Sequence, residues 1–104
     1  MMTKIEDCNY MELYDVECFD LESIGSKAVL VLYLANDHVI RKKIHIAISN
    51  IFKVLETFGI KAIHQLNGQM IRCLINPYQE VNYITPMKES DWLICKEVHY
   101  NGRS

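Results

Sequence analysis

Apolar and polar positions change their spacing along this chain in a way that marks out its elements. Over residues 10–19, YMELYDVECF, the second half alternates. Tyr14, Val16 and Cys18 fall on one side and Asp15 and Glu17 on the other, the period of a half-buried strand. The segment DLESIGS follows, with Gly25 and Ser26 as turn residues, which places Asp20 and Glu22 in a turn. KAVLVLYL, residues 27–34, is apolar at every position after Lys27. A strand apolar on both faces must be covered on both, so it is expected at the centre of a sheet. After the turn ANDH, VIRKKIHI (39–46) alternates again, with Ile44 and Ile46 inward and Arg41, Lys43 and His45 outward. The three strands read as an antiparallel meander.

From Ser49 the spacing becomes helical. Ile48, Ile51, Phe52, Leu55 and Phe58 recur at three- and four-residue steps, a stripe about three turns long. Ser49 is placed to cap the first turn, and Gly59 to close the last in a left-handed conformation. Position 52 is Phe rather than Glu, so the reciprocal capping box is incomplete. Ile60, Ile63 and Leu66 make a second short stripe. The Asn67–Gly68 pair signals a turn. MIRCLI (70–75) is a strand with Ile71, Cys73 and Ile75 on one face. EVNYIT (80–85) is another, ended by Pro86, and WLICKEVHY (92–100) is the last, rich in β-branched and aromatic residues. The pattern predicts an α+β fold in one domain spanning 1–104: an antiparallel sheet of five to six strands with one main helix packed on it.

Net charge is −2, and its distribution matters more than its sum. Residues 1–37 carry eight acids and two bases, while residues 38–104 carry five acids and nine bases. Two readings follow. The halves pack together and their charges neutralise across the sheet, or an acidic face is offered to a basic partner. Asp15, Glu17, Asp20 and Glu22 are the candidate protein-binding residues, with Tyr10, Tyr14 and Phe19 as aromatic neighbours. Arg41, Lys42 and Lys43 are the candidate nucleic-acid-binding edge, although an acidic chain lacks the basic balance such a role usually carries.

Catalytic signatures are sparse. There is no Walker loop, G-x-G-x-x-G, H-E-x-x-H or G-x-S-x-G. The cysteines at 8, 18, 73 and 95 form no CxxC pair and have no histidine at zinc-ligand spacing, which predicts free thiols and no metal or cofactor. Cys8, in a polar stretch, is expected to be the most exposed. His38, His45, His64 and His99 have no acidic or thiol partner at a spacing that would build a site. An enzyme using Cys73 or Cys95 is the third-ranked reading. No apolar run approaches the ~18 residues a membrane helix requires. MMTKIEDCNYMEL lacks the charge pattern of a signal peptide, so a cytoplasmic location is expected.

The order DVECFDLESIGSKAVLVLYL, LETFGI, HQLNGQMIRCLI, KESDWL resembles small uncharacterised proteins encoded by bacteriophages and prophages. In those proteins a sheet-forming half leads to a helix ending in GV or GI, then L-x-G-x-x-[VI]-R, then a terminal D-W. Gly59, Leu66, Gly68, Ile71, Arg72, Asp91 and Trp92 match that pattern, over roughly residues 14 to 95. The resemblance implies an α+β fold and a mobile-element origin, and it transfers no catalytic residue. The expected function is a small protein-binding module, an inhibitor of a host defence system in the manner of an anti-CRISPR. The alternative is a nucleic-acid-associated accessory protein using residues 41–43.

Overall fold

The computed structural model describes residues 10–37, 40–88 and 90–99. The expectations for Cys8, His38 and the C-terminal tail lie outside them. Strands β1 (Tyr10–Ile24), β2 (Lys27–Ala35) and β3 (Arg41–Ala47) form the expected antiparallel meander. A 3-10 turn (Ile48–Asn50) leads into helix α1 (Ile51–Phe58), and a second 3-10 turn covers Ile63–Leu66. Strands β4 (Met70–Ile75), β5 (Val81–Pro86), β6 (Leu93–Ile94) and β7 (Lys96–Val98) complete the fold. The α+β class holds. The sheet, however, has seven strands in the order β6-β5-β4-β1-β2-β3-β7, not five to six.

The difference arises at Cys95. The run expected as one strand divides there, so that Leu93 and Ile94 pair with β5 while Lys96–Val98 pair with β3. A single residue therefore joins the two ends of the strand order. The sheet must curl until its ends meet, which makes the architecture a barrel. Cys95 donates its N–H to the Asn82 carbonyl at 3.0 Å, holding the junction against β5.

β1 differs most from expectation, for one local reason. Its register against β2 slips between Val16 and Cys18, leaving Glu17 as the extra residue of a bulge. A one-residue insertion reverses every later side chain. Tyr14 and Val16 are buried as expected, but Cys18 is exposed. Phe19 takes the inward role, opposite Leu32, and packs against the core. Asp20 and Glu22 lie on the outward face of a continuing strand rather than in a turn. The chain turns only at Gly25–Ser26, where Gly25 has φ of +64°. A positive φ at the first of two turn residues and a negative one at the second make this a type II′ hairpin.

The helix keeps Ile51, Leu55 and Phe58 on its inner side as predicted, but Val54 is buried among them and Phe52, expected in the same stripe, is 79% exposed. Each residue of an α-helix advances about 100°, so Phe52, next after Ile51, lies well off the face that Ile51, Val54 and Phe58 share. The helix runs two turns, not three. Ser49 sits inside the 3-10 turn, and Asn50 occupies the cap position without a side-chain cap bond. Gly59 ends the helix as expected, left-handed at φ 65° and ψ 35°. Its N–H donates to the Glu56 carbonyl at 3.2 Å, and the Ile60 N–H donates to the Leu55 carbonyl at 3.0 Å.

The core collects the inward residues of the barrel: Tyr14 and Val16, Leu30, Leu32 and Leu34, Ile44 and Ile46, Ile71, Cys73 and Ile75, with Ile84 and Leu93. Val54, Phe58 and Leu66 join it from the helical segments. Arg72 and Trp92, distant in sequence, meet outside this core. The Arg72 guanidinium lies 5.5 Å from the Trp92 ring centroid. Its Nε donates to the Pro86 carbonyl at 3.0 Å and its Nη2 to the Lys88 carbonyl at 3.1 Å. The Thr85 hydroxyl donates to the Asp91 carbonyl at 2.8 Å. These contacts hold the β5–β6 connection against β4.

Candidate functional site

The acidic and basic candidate residues come together on one surface. On the outward face of β1-β2-β3, register sets Asp20 beside Val31 and Val31 beside His45, with Lys96 next on β7. The neighbouring row runs Cys18, Tyr33, Lys43 and Val98. Acids occupy β1, bases occupy β3, and an apolar row of β2 separates them.

Opposite charges then reach across β2. Arg41 Nη1 lies 3.1 Å from Glu17 Oε1, and Lys43 Nζ lies 3.8 Å from Glu22 Oε1. The line from Glu22 to Lys43 passes over Val31. That pair, with the flanking rows, accounts for a valine that is 0% exposed yet outside the core cluster. Lys43 also sits 5.8 Å from the Tyr33 ring centroid. Burial, together with the nearby carboxylates of Glu22 and Asp20, holds the Tyr33 hydroxyl above its usual range.

Lys42 points the other way. Its Nζ lies 3.1 Å from Glu97 Oε2 on the inward side, and Glu97 Oε1 accepts the Val81 N–H at 2.8 Å. All three bases of the 41–43 run are thus engaged by carboxylates, and a phosphate binding there would have to displace them. Asp15 and Asp20 form no salt bridge among the described residues. The Asp20 carboxylate instead accepts the Leu21 N–H at 2.9 Å.

His45 lies partly covered on this face, and its Nε2 is buried with no hydrogen-bond partner. Burial, with Lys43 and Lys96 beside it, lowers its pKa, and Glu22 opposes the shift in part. The imidazole is held neutral. Cys73 and Cys95 are buried, and burial pushes both thiols well up, so neither is poised as a thiolate nucleophile. Cys18 is the exposed thiol among the described cysteines. Among the described residues, no group of three His, Cys, Asp or Glu side chains is placed to hold a metal ion.

A second surface has no counterpart in the residue patterns read above. On the outward face of the other half of the barrel, Met11 pairs with Leu74, Leu74 with Tyr83, and Tyr83 with Ile94. This apolar row crosses four strands, about 14 Å at the usual strand spacing. Met11 is 48% exposed and Ile94 59%. Leu13 and Met70 extend the row towards Asp15, which pairs with Met70. A cleft of about 240 Å³ opens at that border, lined by Glu12, Leu13, Asp15, Asn36, Asp37 and Met70, with Tyr14 at its base. One signal in the sequence pointed here: the outer positions of 70–75 hold Met70 and Leu74 on either side of Arg72, and outer apolar side chains call for something to cover them.

Among the described residues, no helix is long and apolar enough to cross a membrane. No family model, curated protein or solved structure matches this chain.

Proposed function

We propose that the chain is a small protein-binding module and that the outward face of β1, β4, β5 and β6 is its recognition surface. The observation that carries this reading is the unbroken outward row Met11–Leu74–Tyr83–Ile94, exposed at Met11 and Ile94 and half-buried at Leu74 and Tyr83. Water-exposed apolar area of that continuity is costly to leave uncovered, and monomeric proteins rarely carry it without a partner. Its composition supports the reading too. Methionine, tyrosine, tryptophan and arginine are enriched at protein interfaces, and here Met11 and Tyr83 belong to the row while Met70 and Arg72 share its face on β4.

The partner class is a protein with a basic surface. Asp15 borders the apolar row and Asp37 lines the adjoining cleft, so the rim of the proposed interface is acidic. Such a rim steers encounter more than it strengthens the bound state. Glu17 and Glu22 contribute less in this reading, because Arg41 and Lys43 already neutralise them. Inhibition of a host defence protein, in the manner of an anti-CRISPR, is the biological setting we propose. Its support is the motif resemblance and an acidic surface able to occupy a site that otherwise binds nucleic acid.

The test is affinity capture from cells of a bacterial host, with Ile94→Glu and Leu74→Glu beside the native chain. A partner held by the native chain and lost by both variants is expected, with thermal unfolding unchanged for Ile94→Glu. Asp15→Lys should slow association, with an effect that shrinks as salt rises, since exposed charges are screened over about 10 Å at 0.1 M. Capture that is indifferent to both apolar-face variants would remove the reading. Binding to DNA or RNA abolished by Arg41→Ala and Lys43→Ala would replace it with the nucleic-acid alternative.

A further inference from the structure

β1 carries two different neighbours along its length. Residues 10–15 pair with β4, residues 15–24 pair with β2, and two hydrogen bonds at the bulge join Val16 to Gly68 and Gln69. Beyond the bulge, from Cys18 to Ile24, no described strand pairs with the edge of β1 that faces away from β2.

The hairpin geometry identifies the backbone groups on that edge. A two-residue turn makes Ile24 and Lys27 the hydrogen-bonded pair that closes it. In an antiparallel ladder the bonded positions then alternate, so Glu22 and Asp20 bond β2, while Phe19, Leu21 and Ser23 direct their N–H and C=O groups outward. The Leu21 N–H confirms the phase: it donates not to β2 but to the Asp20 carboxylate at 2.9 Å.

From this edge we infer that β1 accepts an added strand, an extended segment of another protein in which basic and apolar residues alternate. The alternation follows from register. Side chains of the added strand lie beside those of β1, so one of its faces meets Cys18, Asp20 and Glu22 and the other meets Phe19 and Leu21. The first face calls for Lys or Arg: Asp20 has no salt bridge among the described residues, and its carboxylate, which accepts the Leu21 N–H in the free chain, exchanges that contact for the cation as the added strand's carbonyl takes the N–H. The second calls for apolar side chains, and Leu21 is 58% exposed. A second copy of this chain is the wrong occupant: antiparallel β1–β1 pairing would bring Asp20 and Glu22 close to their own symmetry mates, and facing like charges destabilise a ladder. This inference goes beyond the apolar-face reading and does not depend on it, since the two surfaces lie on opposite halves of β1.

The probe is a synthetic nine-residue peptide of alternating Lys and Val, titrated into the full chain by NMR with amide exchange measured in the complex. Binding is expected with slowed exchange at Phe19, Leu21 and Ser23. A Glu–Val peptide should bind at least tenfold more weakly, as should the Lys–Val peptide N-methylated at alternate amides, which cannot complete the ladder. Asp20→Lys should weaken the Lys–Val peptide by at least tenfold while leaving the melting temperature close to native. Ile94→Glu should leave peptide binding unchanged, which separates failure of this inference from failure of the apolar-face reading. Equal binding of the N-methylated peptide, protection confined to other strands, no binding at millimolar peptide, or self-association of the free chain through β1 would each overturn the proposal.

Discussion

Lys42 Nζ and Glu97 Oε2 stand 3.1 Å apart with side chains only 15% and 18% exposed, and this pair spans the point where the barrel closes. Lys42 belongs to β3 and Glu97 to β7, and the other Glu97 oxygen accepts the Val81 N–H of β5. One carboxylate thus ties three strands across the junction at Cys95. Removing either charge leaves the other partly desolvated, the costly way to break such a pair. Glu97→Ala should lower stability by about 2 kcal/mol, and Lys42→Ala by somewhat less, because a partly exposed pair is screened by solvent. Denaturant melts of both single variants and the double variant should show a coupling of about 1 kcal/mol. Additive losses would show that the carboxylate acts through Val81 alone.

Leu66 and Phe52 make opposite predictions from similar chemistry. Leu66 is 0% exposed and Phe52 is 79% exposed. Leu66→Ala should cost about 2–5 kcal/mol, the range for a buried leucine that leaves a cavity. Phe52→Ala should change stability by no more than about 0.5 kcal/mol. Urea unfolding of the two variants checks this, since residue spacing placed both in apolar stripes and would have made Phe52 expensive as well.

Gly59→Ala should destabilise by about 1 kcal/mol, through the backbone alone. A Cβ at this position would meet only Lys88 Nζ at 3.7 Å, ordinary contact distance, so crowding adds nothing. The penalty comes from φ of +65°, which a side chain disfavours. Gly59→Asn should recover part of the loss, because asparagine tolerates the left-handed region better than alanine. Thermal melts of both variants test this.

His45 should make folding weaken in acid. Burial and the neighbouring Lys43 and Lys96 depress its folded pKa below the usual value of about 6.5, with Glu22 opposing in part. The unfolded chain therefore binds the proton more readily than the folded one. The His45 contribution is fully present above about pH 6.5 and is lost as pH falls through the lowered folded value. His45→Gln should flatten the stability profile between about pH 7 and pH 5 relative to the native chain. An unchanged slope in that variant would assign the acid sensitivity to other groups.

Local patterns determined a great deal about this protein. The β1-β2-β3 meander, the left-handed glycine at 59, the turn at Asn67–Gly68 and the inward set Ile71, Cys73 and Ile75 all follow from periods of two and 3.6 and from residues with special backbone freedom. Those properties act within a few residues, so they are legible without the fold. Four features were decided only in three dimensions. Glu17 bulges just past the point where the pairing of β1 with β4 ends, and that insertion moved Cys18 outward and put Asp20 and Glu22 on the outer face of a strand. The acids of β1 found the bases of β3 across β2, neutralising Glu17 and Glu22 while leaving Asp15 and Asp20 without salt bridges among the described residues. The run 92–100 divided at Cys95 because its two halves bond to strands at opposite ends of the sheet, which only a curled sheet brings together. The row Met11–Leu74–Tyr83–Ile94 belongs to the same class. Each member is an ordinary outward residue of its own strand, and pairing between strands distant in sequence is what aligns them into a surface.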